Sequence, residues 1–161
     1  MKIIFLDIDG VLNSDTYLKS RPDNSDYNRI DMSRIELLAD LVKSTDAKIV
    51  LTSTWRVDWN MSSLFCGDFG KYINECFAVY GLYVLDKTPV ISLLSHRRKE
   101  ILSWLSSHLG EVESFVILDD ISYGWEELGS RVVVTNPNGN GLEEEHVQKA
   151  REILNVQIAP K

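Results

Sequence analysis

The chain has 161 residues, of which 44% are hydrophobic and 25% charged, with a formal net charge of −7 at pH 7. That length and balance predict one soluble domain with its own core, spanning residues 1–161, and the acidic excess argues against broad, non-specific adhesion to nucleic acid. No apolar run approaches the roughly 20 residues that cross a bilayer, and two cysteines, Cys66 and Cys76, make neither a disulfide scaffold nor a zinc site, so a reduced, cytoplasmic setting is expected.

Residues 2–6 form an apolar run rich in β-branched and aromatic side chains, read as a buried strand of a parallel sheet and not as a leader. The run ends at Asp7 and Asp9, one residue apart, and Gly10 then permits a tight turn. Ligands of open parallel sheets bind beyond the carboxyl ends of the strands, so these oxygens stand where a site is expected. Two such acids repel unless one is protonated or both face a cation, and oxygen-only ligation suits Mg²⁺. The plainer alternative is a polar strand end that caps the next turn. Residues 14–29 read as a loop bordering the site. Asp31 or Ser33 can cap the next helix, where Ile35, Leu38 and Val42 recur at helical spacing and Ser33 with Glu36 fits a capping box.

A second strand, residues 47–51, delivers Thr52, Ser53, Thr54, Trp55 and Arg56. Hydroxyls there can donate to phosphoryl oxygens, or they can simply cap a helix. Arg56 either grips a second phosphate or leaving group with its planar fork, or makes a surface ion pair. Residues 58–83 suggest one or two helices and then a short strand at 82–85, with most of their aromatics in the core. A loop at 87–89 precedes a helix over residues 95–109, with Ile101, Leu105 and Leu109 on one face and Gly110 as its stop. His96, Arg97, Arg98 and Lys99 crowd the start of that helix, where the dipole disfavours cations. Either a counter-charge lies opposite, or this is a solvated basic end.

A third strong strand, residues 114–118, ends in Asp119 and Asp120. Tyr123 and Trp125 follow, able to stack on a base but read in the first instance as packing. A strand at 131–135, a dense turn at 136–141 and a helix at 142–154 with Glu143, Glu144 and Glu145 in its first turn complete the pattern. His108 and His146 stand alone and read as structural or exposed, and residues 155–161 read as a tail. There is no internal repeat or linker. Strands ending in acids or hydroxyls and alternating with amphipathic helices predict an α/β, doubly wound parallel sheet.

The string Phe5-Leu6-Asp7-Ile8-Asp9-Gly10-Val11-Leu12-Asn13 closely resembles the first motif of the haloacid-dehalogenase-like (HAD) phosphohydrolase superfamily. The polar end of the second strand resembles its second motif, with Ser53 at the Ser/Thr position. The basic cluster resembles the third, and Asp119-Asp120 the fourth. Arg97-x-x-Glu100-Ile101-x-x-Trp104-Leu105 is similar to the small HAD domains of RNA-repair proteins, which favours Arg97 as the motif cation. Cap-bearing members favour Arg98, and Lys99 is a third candidate. Many members carry another acid where this chain has Gly124.

This resemblance implies a three-layer Rossmann-like sheet without a large cap and a Mg²⁺-dependent phosphatase. Asp7 would be the nucleophile and Asp9 the acid and base. Asp7, the Asp9 carbonyl and Asp120 would hold the metal, and Asp119 would orient the basic group. Ser53, Thr54, Arg56 and one of Arg97, Arg98 and Lys99 would meet phosphate. The implied substrate is a phosphorylated one, in particular a nucleotide or polynucleotide end. A small phosphometabolite or a phosphoprotein is the alternative, and a receiver-like phospho-acceptor module is the non-enzymatic one.

Overall fold

The computed structural model describes residues 1–22, 28–91 and 96–158. Five parallel strands, β1 (Lys2–Leu6), β2 (Lys48–Leu51), β3 (Val84–Lys87), β4 (Ser114–Asp119) and β5 (Val132–Val134), form one sheet in the order β3-β2-β1-β4-β5. The α-helices are α1 (Asp15–Ser20), α2 (Met32–Thr45), α3 (Asp68–Ala78), α4 (Arg97–Ser107) and α5 (Glu144–Leu154). This is the Rossmann-like α/β fold expected. The sheet also answers the receiver alternative. Receiver domains have the flavodoxin-like order 2-1-3-4-5, whereas β1 here lies between β2 and β4.

Strand side chains alternate between faces, and the two cores follow that alternation. Ile4, Leu6, Ile49, Leu51, Val116 and Leu118 pack with Ile35 and Leu38 of α2, Ile73 and Phe77 of α3 and Val147 of α5. Ile3, Phe5, Val50, Phe115 and Ile117 pack on the other face with Ile101 and Trp104 of α4. Three helices therefore cover one face and α4 covers the other. Between β2 and β3 the chain forms two short 3₁₀ turns and α3, with no inserted sheet among the described residues. No helix among them is long and apolar enough to cross a membrane.

Several local expectations are corrected. The stretch read as a loop at 14–29 contains α1, capped by Ser14, whose side chain accepts the Tyr17 N–H. Asp31, not Ser33, caps α2, because its carboxylate accepts both the N–H and the hydroxyl of Ser33. The strand placed at 82–85 lies at Val84–Lys87. The helix placed at 95–109 is Arg97–Ser107, and Ser95 falls outside the described residues. Trp104 takes the buried position, while Leu109 is exposed past the helix end. His108 stacks on Trp104 with ring centroids 3.7 Å apart, and His146 caps α5 by accepting the Glu143 N–H, so both have structural roles. Residues 155–158 are tied down, since the Ile158 N–H bonds the Glu113 carbonyl.

Candidate active site

Register builds the site. Leu6 pairs with both Leu51 and Leu118, so Asp7, Thr52 and Asp119 follow abreast at the carboxyl edge. Asp7 and Asp119 continue the odd-numbered series of β1 and β4, the series that faces α4. They meet the first residue of that helix: Arg97 Nη1 donates to Asp7 Oδ2 at 2.6 Å and to Asp119 Oδ2 at 2.5 Å. The remaining oxygens accept backbone N–H groups, Asp7 Oδ1 from Ile8 and Asp119 Oδ1 from Ile121, each at 2.9 Å. The counter-charge expected at the start of α4 is this pair of aspartates. Of the three candidate cations only Arg97 reaches it. Arg98 pairs with Glu126 at 2.9 Å and Glu127 at 2.7 Å, and Lys99 is exposed, with no ion-pair partner among the described residues.

Asp120 points elsewhere than Asp119, as the next residue past a strand end must. Its carboxylate still joins the others, with one oxygen each of Asp7, Asp119 and Asp120 mutually within 4.8 Å. Gly10 makes this approach feasible. Its φ is +74°, and a Cβ there would lie 2.6 Å from the Asp120 Cβ. The loop is held by Gly10 N–H donating to Asn13 Oδ1 at 2.9 Å and by Thr135 Oγ1 donating to the Gly10 carbonyl at 2.7 Å. Asp9 is not part of the three-carboxylate cluster. Its two oxygens accept from Asn13 Nδ2 at 3.0 Å and from Trp55 Nε1 at 2.9 Å.

These contacts set the electrostatics. Burial pushes the Asp7 carboxyl up to about 6, with Arg97 opposing and Asp119 reinforcing the rise. Burial and the Asp119 charge also raise Asp120. Burial alone would weaken the charge on Arg97, but Asp7 and Asp119 outweigh it and keep the guanidinium protonated. Three clustered carboxylates face one guanidinium. An all-oxygen set with surplus negative charge fits a hard divalent cation such as Mg²⁺.

Ser53 is buried at the end of β2, and its oxygen accepts the Trp55 N–H at 3.4 Å, which leaves its own proton to donate. Thr54 is exposed on the same turn. The Thr52 hydroxyl is buried and has no hydrogen-bond partner among the described residues. Arg56 departs from both expectations. It is buried, and every N–H is used: Nε on Thr88 O, Nη1 on the carbonyls of Thr52 and Ser53, Nη2 on Pro89 O and, at 2.7 Å, on Glu100 Oε2. No donor is left for phosphate; the side chain ties the end of β2 to α4. Trp125 is packing, its Nε1 donating to the Ile121 carbonyl, whereas Tyr123 stands in solvent.

Sequence reasoning missed Trp55, Thr135 and Glu100 as positioning groups. Thr135 obeyed the rule already in use, a polar side chain just past a strand. Trp55 and Glu100 lay inside stretches singled out for other residues, but nothing local pointed to their partners, Asp9 and Arg56, which are far away in the chain. A family model described as the HAD domain in Swiss Army Knife RNA repair proteins matches residues 3–147. No curated protein and no solved structure matches the chain.

Proposed function

Because the chain belongs to the family of HAD domains in Swiss Army Knife RNA repair proteins, we propose that it is a single-domain phosphatase, residues 1–161, which hydrolyses a phosphomonoester by way of Asp7. The family supports a phosphohydrolase-type function. One observation carries the finer reading: Arg97 bridges Asp7 and Asp119 at the sheet edge while Asp120 closes the same cluster. Asp7, the Asp9 carbonyl and Asp120 would hold Mg²⁺, and Asp119, fully buried between Arg97 and the Ile121 N–H, would orient the guanidinium. Bound there, the ion would offset repulsion between the Asp7 carboxylate and a phosphate dianion.

Asp7 attacks phosphorus, and the bond to the leaving oxygen breaks. Asp9, held by Asn13 and Trp55, gives the leaving alkoxide its proton. Water then attacks the same phosphorus, Asp9 takes a proton from it, and the bond to Asp7 breaks to release inorganic phosphate. The Ser53 hydroxyl and Arg97 bind the equatorial oxygens as charge spreads over them, and Thr54 adds a hydroxyl at the rim. Arg98 and Lys99 stand outside this first circle of contacts. The substrate is a nucleotide or polynucleotide end, a choice supported by the family's place in RNA repair proteins.

Turnover of p-nitrophenyl phosphate is the direct check. Activity should require Mg²⁺, stop with EDTA, and fall on the order of a thousandfold or more in Asp7→Asn. Stoichiometric phosphorylation without turnover would count against the proposal. In a panel of phosphorylated RNA and DNA ends, nucleotides, sugar phosphates and phosphopeptides, the nucleic-acid ends should be preferred. A clear preference for sugar phosphates or phosphopeptides would remove the substrate assignment.

A further inference from the structure

Beside the carboxylate cluster lies a groove of about 410 Å³, within the size range of small-ligand sites. Both of its walls begin at the site. One is the start of α4, where Arg97 holds Asp7 and is followed by Arg98 and Lys99. The other is the segment from Ile121 to Glu126, which leaves directly from Asp120. The two walls differ in chemistry. On the second, Tyr123 is 79% exposed and Trp125 only 6%, so one aromatic ring stands in solvent and the other is packed. Gly124 between them has φ +79°, and among the described residues a Cβ there would meet nothing within 4 Å, so the backbone between the two rings is open.

On the first wall the charges are unequally spent. Arg98 is matched by Glu126 and Glu127, which also neutralises the Glu126 carboxylate lining the groove. Lys99 lines it with no ion-pair partner among the described residues. A bare aromatic face, an ammonium without an ion-pair partner among the described residues, and the same Arg97 that holds Asp7 line one space large enough for about one nucleotide and too small for a duplex. On a chain of net charge −7, a cation left unpaired beside a phosphate site is a place for a second anion.

We propose that this groove receives the end nucleotide of a single-stranded substrate, its base stacked on Tyr123 and the next phosphodiester against Lys99. This rests on the phosphatase reading above, because Arg97 must hold the scissile phosphate for the rest of the strand to enter the groove. Stacking on an exposed aromatic is tolerant of base identity, so the site selects a nucleotide and not a sequence.

The test is binding to the Asp7→Asn protein, followed by fluorescence anisotropy. The ligands are single-stranded oligonucleotides with a 5′ or a 3′ phosphomonoester, with the terminal base present or replaced by an abasic sugar. Removing the base should weaken binding by about fivefold or more. Adding Tyr123→Ala should abolish the difference between the two ligands, with the melting temperature unchanged because that side chain is exposed. Lys99→Ala should weaken oligonucleotide binding and lower its salt slope by about 0.7, without weakening a mononucleotide phosphate. Base-independent binding, no detectable binding of either end, or a base effect that survives Tyr123→Ala overturns the stacking site. Equal loss of mononucleotide and oligonucleotide in Lys99→Ala overturns the second phosphate position. Hydrolysis of p-nitrophenyl phosphate by the native protein separates the two levels: without it the phosphatase reading falls, and with it a base-indifferent result removes only the groove.

Discussion

At Asp7 two requirements oppose one another. A nucleophile must be ionised, yet burial lifts this carboxyl from 3.8 to about 6. Because the folded state holds the proton more tightly than the unfolded chain, the contribution of this group to stability is complete below 3.8 and is lost as pH rises through about 6. Metal-free Asp7→Asn should therefore be more stable than the native protein above that pH, on the order of 1 kcal/mol or more, with the gain shrinking toward pH 4. Urea denaturation in EDTA across pH 4 to 8 measures this, and an equal loss of stability at every pH would refute the burial account. Asp7 and Asp9 were legible as residues because they end a strand. The donors that orient Asp9, Asn13 and Trp55, belong to different segments; Asn13 lay in the same motif as Asp9, whereas nothing in the second motif marked Trp55 as its partner.

At the scale of elements, alternation along β1 and β4 chooses which acids face α4, and the helix answers with Arg97. Asp119 and Asp120 look interchangeable in one dimension, but strand parity separates them: one is fully buried against Arg97, the other half-open beside Gly10. The position of α4 depends in turn on the Arg56–Glu100 pair, both side chains of which are nearly inaccessible. Removing one partner strands the other charge, so Glu100→Ala should cost about 3–5 kcal/mol. Replacing both, as Arg56→Met with Glu100→Leu, should recover most of that loss. The comparison is made by denaturant titration of the two single variants and the double. If Arg56 gripped phosphate, replacing it would instead raise KM and leave stability unchanged.

For the whole molecule, one sheet edge gathers residues more than a hundred positions apart, and the carboxylates outnumber the guanidinium at their centre. Folding without a cation works against that repulsion, so Mg²⁺ should stabilise the native state by about 2.7 kcal/mol at a hundred times its dissociation constant. Thermal melts over a Mg²⁺ titration report the effect, and Asp120→Asn should remove most of it while leaving the Arg97 bridge intact. A melting temperature indifferent to Mg²⁺ would mean that the cluster is balanced without an ion.

The chain by itself determined the α/β class, four of the five strands close to their observed limits, and the acids and hydroxyls at their ends. Those features are local: a buried strand must be apolar, and the change to polar residues marks where it leaves the sheet. Tertiary structure alone decided that Arg97 and not Arg98 or Lys99 meets Asp7, that Arg56 is sealed against Glu100, and that Tyr123 is bare while Trp125 is packed. Each of these depends on which face of a strand or which turn of a helix meets a distant partner. A shift of one residue reverses the answer without changing the local pattern that a sequence displays.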